Sequence, residues 1–215
     1  MKTKIIQSIA LAGLLGLAST QASASVYNFV NLIDTANGTI TGTLGNNSAF
    51  TGNPGEAGYK NFDWTVGGLT LTATGRTVSG AAYAYLDSGN AGLGVCKVLT
   101  GNNQCNPGGD DNVTINEILD LHCDKKAEID FNQVIFNDAN HNLINPNIEI
   151  SVDGGGFAPL ILTSVHQGTD FEFRTLDQAN QFYINVLSAQ AVPTPGTLLL
   201  LALGLIGLGV ARRKA

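Results

Sequence analysis

Leu69-Thr70-Leu71-Thr72-Ala73-Thr74 sets an apolar side chain at every second position with a hydroxyl after each. A period of two marks a strand with one buried face and one wet face. Ile148-Glu149-Ile150-Ser151-Val152 and Phe171-Glu172-Phe173 repeat it, and Phe182, Ile184 and Val186 fall on one face of a late strand. Leu119, Leu121 and Cys123 likewise share a face in Leu119-Asp120-Leu121-His122-Cys123-Asp124. Between Ser25 and Ala191 no window sustains apolar residues at helical spacing. The runs are separated by turn-forming clusters such as Gly45-Asn46-Asn47, Asn53-Pro54-Gly55, Gly101-Asn102-Asn103, Asn106-Pro107-Gly108-Gly109 and Gly154-Gly155-Gly156. Many short strands with frequent turns predict an all-β fold, an antiparallel two-sheet sandwich.

Outside this region the composition changes. The chain of 215 residues carries a formal charge of -6, but Lys2, Lys4, Arg212, Arg213 and Lys214 supply five of its eleven Lys and Arg. All seventeen carboxylates lie between Asp34 and Asp177, so without its ends the chain holds six cations against seventeen anions, about -11. An acidic interior with no basic stripe offers nothing to a phosphate backbone, which excludes nucleic acid as a partner class. At the start, Lys2 and Lys4 precede the apolar run Ile9 to Ala18 and the small residues Ala22-Ser23-Ala24. That order predicts a signal helix over residues 1–24, recognised by the Sec export machinery and cut by signal peptidase between Ala24 and Ser25. At the other end, Val192-Pro193-Thr194-Pro195 leads into an apolar run from Thr197 to Val210 and the basic end Arg212-Arg213-Lys214. About fifteen apolar residues span roughly 22 Å as a helix, short of the ~30 Å hydrocarbon core, as suits a transient membrane anchor. The basic end stays cytoplasmic and leaves the body outside, in agreement with the exported N-terminus. Three segments follow: signal peptide 1–24, extracellular β-sandwich 25–191 and a C-terminal signal 192–215.

That C-terminal signal resembles the PEP-CTERM sorting element, in which a Pro-x-Pro motif, a short apolar helix and a basic end occur in fixed order. Thr194 stands where the motif usually carries Glu. The same tail also goes by the label of an ice-binding protein C-terminal domain, which names a sorting element and not an activity. The resemblance implies processing by exosortase in a Gram-negative bacterium. It also implies a transient stay in the inner membrane and a final location at the cell surface or in the biofilm matrix. Within the body, Gly92-Leu93-Gly94-Val95-Cys96, Cys105, Asp110-Asp111-Asn112-Val113 and Phe136-Asn137-Asp138-Ala139-Asn140-His141 resemble a block found in one group of PEP-CTERM β-sandwich surface proteins, a likeness that names no ligand.

Export permits a disulfide, and Cys96 and Cys105 bracket the turn-rich segment between them. Their spacing does not match close zinc-binding pairs. Cys123 is either a buried free thiol or an intermolecular or redox thiol. After Cys105 comes an oxygen-rich loop in which Asp110, Asp111, Asn112 and Glu117 are candidate Ca²⁺ ligands, or else a solvated acidic turn. Asp138, Asn140, Asn142 and Glu149 imitate EF-hand spacing, but Leu143 takes the place of the glycine and strands flank the loop. No nucleophile elbow, zinc-protease, phosphate-loop or dinucleotide motif occurs, and His122, His141 and His166 are far apart in sequence. No catalytic residue is assigned and, Ca²⁺ aside, no cofactor is expected. Rows at Thr39, Thr41, Thr43 and at Thr70, Thr72, Thr74 can order water or meet ice, and Trp64, Tyr83 and Tyr85 can stack on sugar rings; ordinary exposed sheet uses the same residues. Two functions compete: a non-catalytic structural or adhesive surface protein, and a Ca²⁺-dependent module that binds or cleaves extracellular polysaccharide.

Overall fold

A computed structural model describes residues 23–34, 38–53 and 55–193. Residues Ser23–Val192 form one compact unit. The C-terminal membrane helix expected over 197–210 and most of the N-terminal signal helix lie outside the described residues, as do Thr194, Pro195, Arg212, Arg213 and Lys214. Among the described residues no helix is long and apolar enough to cross a membrane.

Among the described residues fourteen strands form in chain order: β1 (Ala24–Asn28), β2 (Thr39–Leu44), β3 (Ala49–Thr51), β4 (Ala57–Val66), β5 (Leu69–Thr77), β6 (Gly80–Asp87), β7 (Gly92–Cys96), β8 (Glu117–Asp130), β9 (Ile135–Asn137), β10 (Leu143–Ile144), β11 (Glu149–Val152), β12 (Ala158–Pro159), β13 (Val165–Arg174) and β14 (Tyr183–Ala191). A short helix, α1 (Phe29–Asp34), follows β1 and buries Phe29 and Leu32. The larger layer runs β3-β2-β4-β5-β8-β13-β11-β12 and the smaller β10-β9-β14-β7-β6, with β1 on β14. Every strand pair is antiparallel. The layers are continuous in hydrogen bonding, because β4 changes partner from β6 to β5 and β14 meets β8 near its end. The expected all-β antiparallel sandwich is thus what forms.

Alternation sets the layers apart. In β5, Leu69, Leu71 and Ala73 are buried while the threonines between them are only half-buried. In β8, Leu119, Leu121 and Cys123 point inward and Asp120, His122 and Asp124 outward. Register aligns the inward set, so that Ile40, Trp64, Leu71 and Cys123 stand side by side across four strands. Trp64 meets Tyr27 and Phe29 edge-on at 5.4 and 5.8 Å, a favoured aromatic geometry in a core. One sequence expectation fails here. Ile184 is buried but Val186 is only half-buried, because a register shift between them breaks the period of two and turns Leu187 and Ala189 inward instead.

Candidate functional site

The outward face of the larger layer carries a polar row in strict register. Thr41, Asp63, Thr72, His122 and Asp170 are successive cross-strand partners on β2, β4, β5, β8 and β13. A second row places Thr74, Asp120 and Glu172 side by side. The two threonine rows anticipated from sequence therefore share one face, separated by β4. Cross-strand contacts hold it: Thr72 Oγ1 donates to Asp63 at 2.6 Å, and His122 Nδ1 lies 2.7 Å from Asp170. The Arg76 guanidinium bridges two strands, with Nε 3.2 Å from Asp120 and Nη2 2.6 Å from Glu172.

Between these rows lies a depression of about 220 Å³ lined by Thr74, Arg76, Asp120, His122, Asp170 and Glu172, floored by Leu121 and Phe171. Its outer wall depends on a bulge in β13 between Gly168 and Asp170. Asp153 Oδ1 clamps that bulge by accepting from the backbone N–H groups of Thr169 and Asp170 at 2.8 and 3.0 Å. A Cβ on Gly168 would stand 2.5 Å from Val152 Cγ1, so only glycine admits this close approach. Burial pushes the Asp120 carboxyl up to about 6, opposed by Arg76 and assisted by Glu172. Of the rings that could have stacked on a sugar, Trp64 and Tyr85 are 2% exposed and belong to the interior, and Tyr83 is half-buried. Sequence reasoning noted Asp120 and the threonines but missed Arg76 and Asp170 as their partners. The outward alternation in β8 carried that signal for Asp120 and His122 alone.

The oxygen-rich loop is divided. Asp110 and the fully buried Glu117 both approach Lys97 Nζ to 3.1 Å. Glu117 Oε2 accepts from the Thr114 backbone N–H and hydroxyl at 2.6 and 2.8 Å. Asp111 instead accepts from the Tyr183 hydroxyl, and Asn112 is buried with Oδ1 unpartnered. Among the described residues no three His, Cys, Asp or Glu side chains are grouped closely enough to hold a metal ion. In the EF-hand-like loop, Asp138 Oδ1 accepts from the backbone of Asn140 and Asn142, a self-capped turn, while Glu149 pairs with Arg174. Cys96 and Cys105 are bonded, and Cys123 is free and buried, its thiol pushed up to about 12 chiefly by burial.

A second carboxylate cluster joins β6, β14 and two loops. Asp87 Oδ2 lies 3.2 Å from His141 Nε2, whose Nδ1 is 2.8 Å from the Gly89 carbonyl oxygen. Burial and then the Asp111 charge push Asp87 up to about 6, against the Tyr183 hydrogen bond and His141. A folded-state pKa raised above the unfolded value means stability present at low pH and lost as pH rises through about 6. Between pH 7.5 and 5 the Asp87 shift returns about 1 kcal/mol, and Asp120 acts in the same direction. Asp130, Asp138 and Asp153 have lowered pKa values and oppose this only in stronger acid. Calorimetry should therefore find Tm higher at pH 5 than at pH 7.5 by roughly 2–4 °C. Asp87→Asn should raise Tm at pH 7.5 and flatten the profile; a Tm that falls on acidification to pH 5 contradicts the assignment.

At the predicted cleavage point, Ala24 is exposed and opens β1, where it pairs with Gln190 of β14, while Ser25 is buried and its Oγ donates to the Val66 carbonyl at 2.6 Å. Ala24 thus opens a strand. β14 ends at Ala191, and the Val192 N–H still donates to the Lys126 carbonyl at 2.8 Å. Residues 191–214 match the family model of the PEP-CTERM protein-sorting motif. No curated protein and no solved structure matches the chain.

Proposed function

From a chain whose tail carries a PEP-CTERM protein-sorting motif, the mark of an exported, surface-directed protein with exosortase as its processing partner, we propose that residues 25–191 are the delivered cargo: a non-catalytic structural or adhesive domain of the cell surface or biofilm matrix of a Gram-negative bacterium. One observation carries the reading. The sorting motif begins at residue 191, where the last strand ends, and that strand pairs with the first, which opens at Ala24, beside the cleavage point expected from the sequence. Both sorting segments therefore adjoin the same strand pair. Losing them removes no interior strand, so a folded domain survives both cuts. Cleavage before Ser25 gives up the Ala24–Gln190 pair, while the pairs from Ser25 to Asn28 that hold β1 against β14, and the core beneath them, lie between Ser25 and Ala191.

Fractionation tests the proposal. The mature protein should be recovered from the surface or matrix with Ser25 at its N-terminus, passing through an inner-membrane form that accumulates when exosortase is removed. Deleting residues 192–215 should abolish the membrane form and redirect the domain. An unchanged location after that deletion, or retention of the native chain in the cytoplasm, refutes it.

A further inference from the structure

We infer that the depression between Arg76 and Asp170 is a binding site for a neutral, hydroxyl-rich polysaccharide laid across the strands of the larger sheet. The inference rests on the surface or matrix role proposed above and names the partner of that role. A sugar hydroxyl both donates and accepts, and it is best met where donors and acceptors stand side by side. Here Arg76 and Thr74 offer donors beside the acceptor oxygens of Asp120, Asp170 and Glu172, and the His122 ring, held by Asp170, adds a further polar group. These groups are positioned before any ligand arrives, by the Arg76 bridge, the His122–Asp170 contact and the Asp153 clamp on the bulge. Pre-positioning removes part of the ordering cost that weakens polar recognition.

Shape and charge narrow the occupant. The row from Thr41 to Asp170 crosses five strands, about 19 Å at ~4.8 Å per strand step, which suits an extended chain more than a compact metabolite. Three carboxylates line the depression in a domain whose interior charge is about -11. A uronate, phosphate or sulfate polymer is repelled there. A protein partner needs an apolar anchor at the centre of its contact, and the two apolar residues under the depression, Leu121 and Phe171, are 1% and 0% exposed. A lone cation is disfavoured because the Arg76 guanidinium already occupies the space between Asp120 and Glu172. With no exposed aromatic ring to stack on, each repeat binds weakly, and affinity comes from many repeats engaging many surface copies.

The test is affinity electrophoresis and saturation-transfer NMR of the full chain in detergent at 0.15 M salt, with dextran, mannan and galactan as neutral probes and alginate as the polyanion. At least one neutral polymer should bind and alginate should not. His122 and Asp170 are 55% and 52% exposed at the side chain, so His122→Ala and Asp170→Asn leave folding intact, checked by an unchanged melting curve. Each should weaken binding tenfold or more. Glu128→Gln, on the same strand beyond the depression, changes charge equally and should leave binding as it is. Absence of binding to all three neutral polymers, equal binding of alginate, or native affinity in the two variants overturns the inference. A chain correctly delivered and processed that binds none of them refutes this inference and leaves the sorting proposal intact, whereas a binder retained in the cytoplasm does the reverse.

Discussion

Lys97→Met should lower the unfolding free energy by about 3 kcal/mol at pH 7.5, the largest effect expected of any single charged side chain in the domain. Glu117 is fully buried, and burial raises its carboxyl pKa in spite of the Thr114 hydrogen bonds and the Lys97 ammonium. Without Lys97 that carboxylate keeps the two bonds from Thr114 but loses its counter-charge. Removing one partner of a buried pair costs about 3–5 kcal/mol. The lower end applies because the Lys97 side chain is 37% exposed and water can reach the vacated position. The raised pKa fixes the sign with pH. A protonated Glu117 needs no counter-charge, so the defect should shrink as pH falls. Glu117→Gln in the Lys97→Met background should recover part of the loss. Urea unfolding of the single and double variants at pH 7.5 and 5 supplies the check, and a single variant within 1 kcal/mol of native at both values refutes the pairing. The same measurement bears on the oxygen-rich loop, since it asks whether Lys97 is the cation that Asp110 and Glu117 require.

Replacing Cys96 and Cys105 together by Ala should cost about 3 kcal/mol on the chain-entropy account of a loop closed nine residues apart. In a domain of this size that is a drop of roughly 6–12 °C in Tm. The bond also holds a packed element. Both cysteines sit with Tyr85 in a small second core, and Leu99 from the closed loop covers Gly58, where a Cβ would fall 2.4 Å from Leu99 Cδ2. Asn103 at the loop's tip accepts from the Gly58 N–H at 2.7 Å through its carbonyl and from the Asn46 N–H at 2.8 Å through its side chain. The loop thus docks on β4 and the turn after β2, and the staple saves it the entropy of finding that position. Thermal melts of the double-alanine variant, compared with the native chain with and without reductant, should agree in size of loss. A change below 1 kcal/mol would show that docking alone holds the loop.

The strand pattern was legible because alternation is local. Each residue from Leu69 to Thr74 declares its face through its immediate neighbours, and β5 forms as that stretch predicts. It failed at Val186, where one irregular residue in the ladder inverts the faces that follow, and a bulge leaves no mark in a period of two. The candidate site was half legible. Asp120 and His122 could be placed outward by counting. Their partners could not, since Arg76 lies 44 residues from Asp120 and 96 from Glu172. Trp64 and Tyr85 stayed open in the sequence because an aromatic ring suits an exposed sugar platform and a core equally, and sequence gives no burial.

By itself the sequence determined that this chain carries an export and surface-sorting signal, what class of fold it takes and which two cysteines can close a short loop, because sorting signals, strand alternation and nearby cysteines are all encoded in neighbouring residues. The tertiary structure alone decided which charges meet: Lys97 with Glu117, Arg76 with Asp120 and Glu172, His122 with Asp170, Asp87 with Asp111. Those pairings follow from strand order and register between distant segments, and only closing the sheet into its layers brings them within reach of one another.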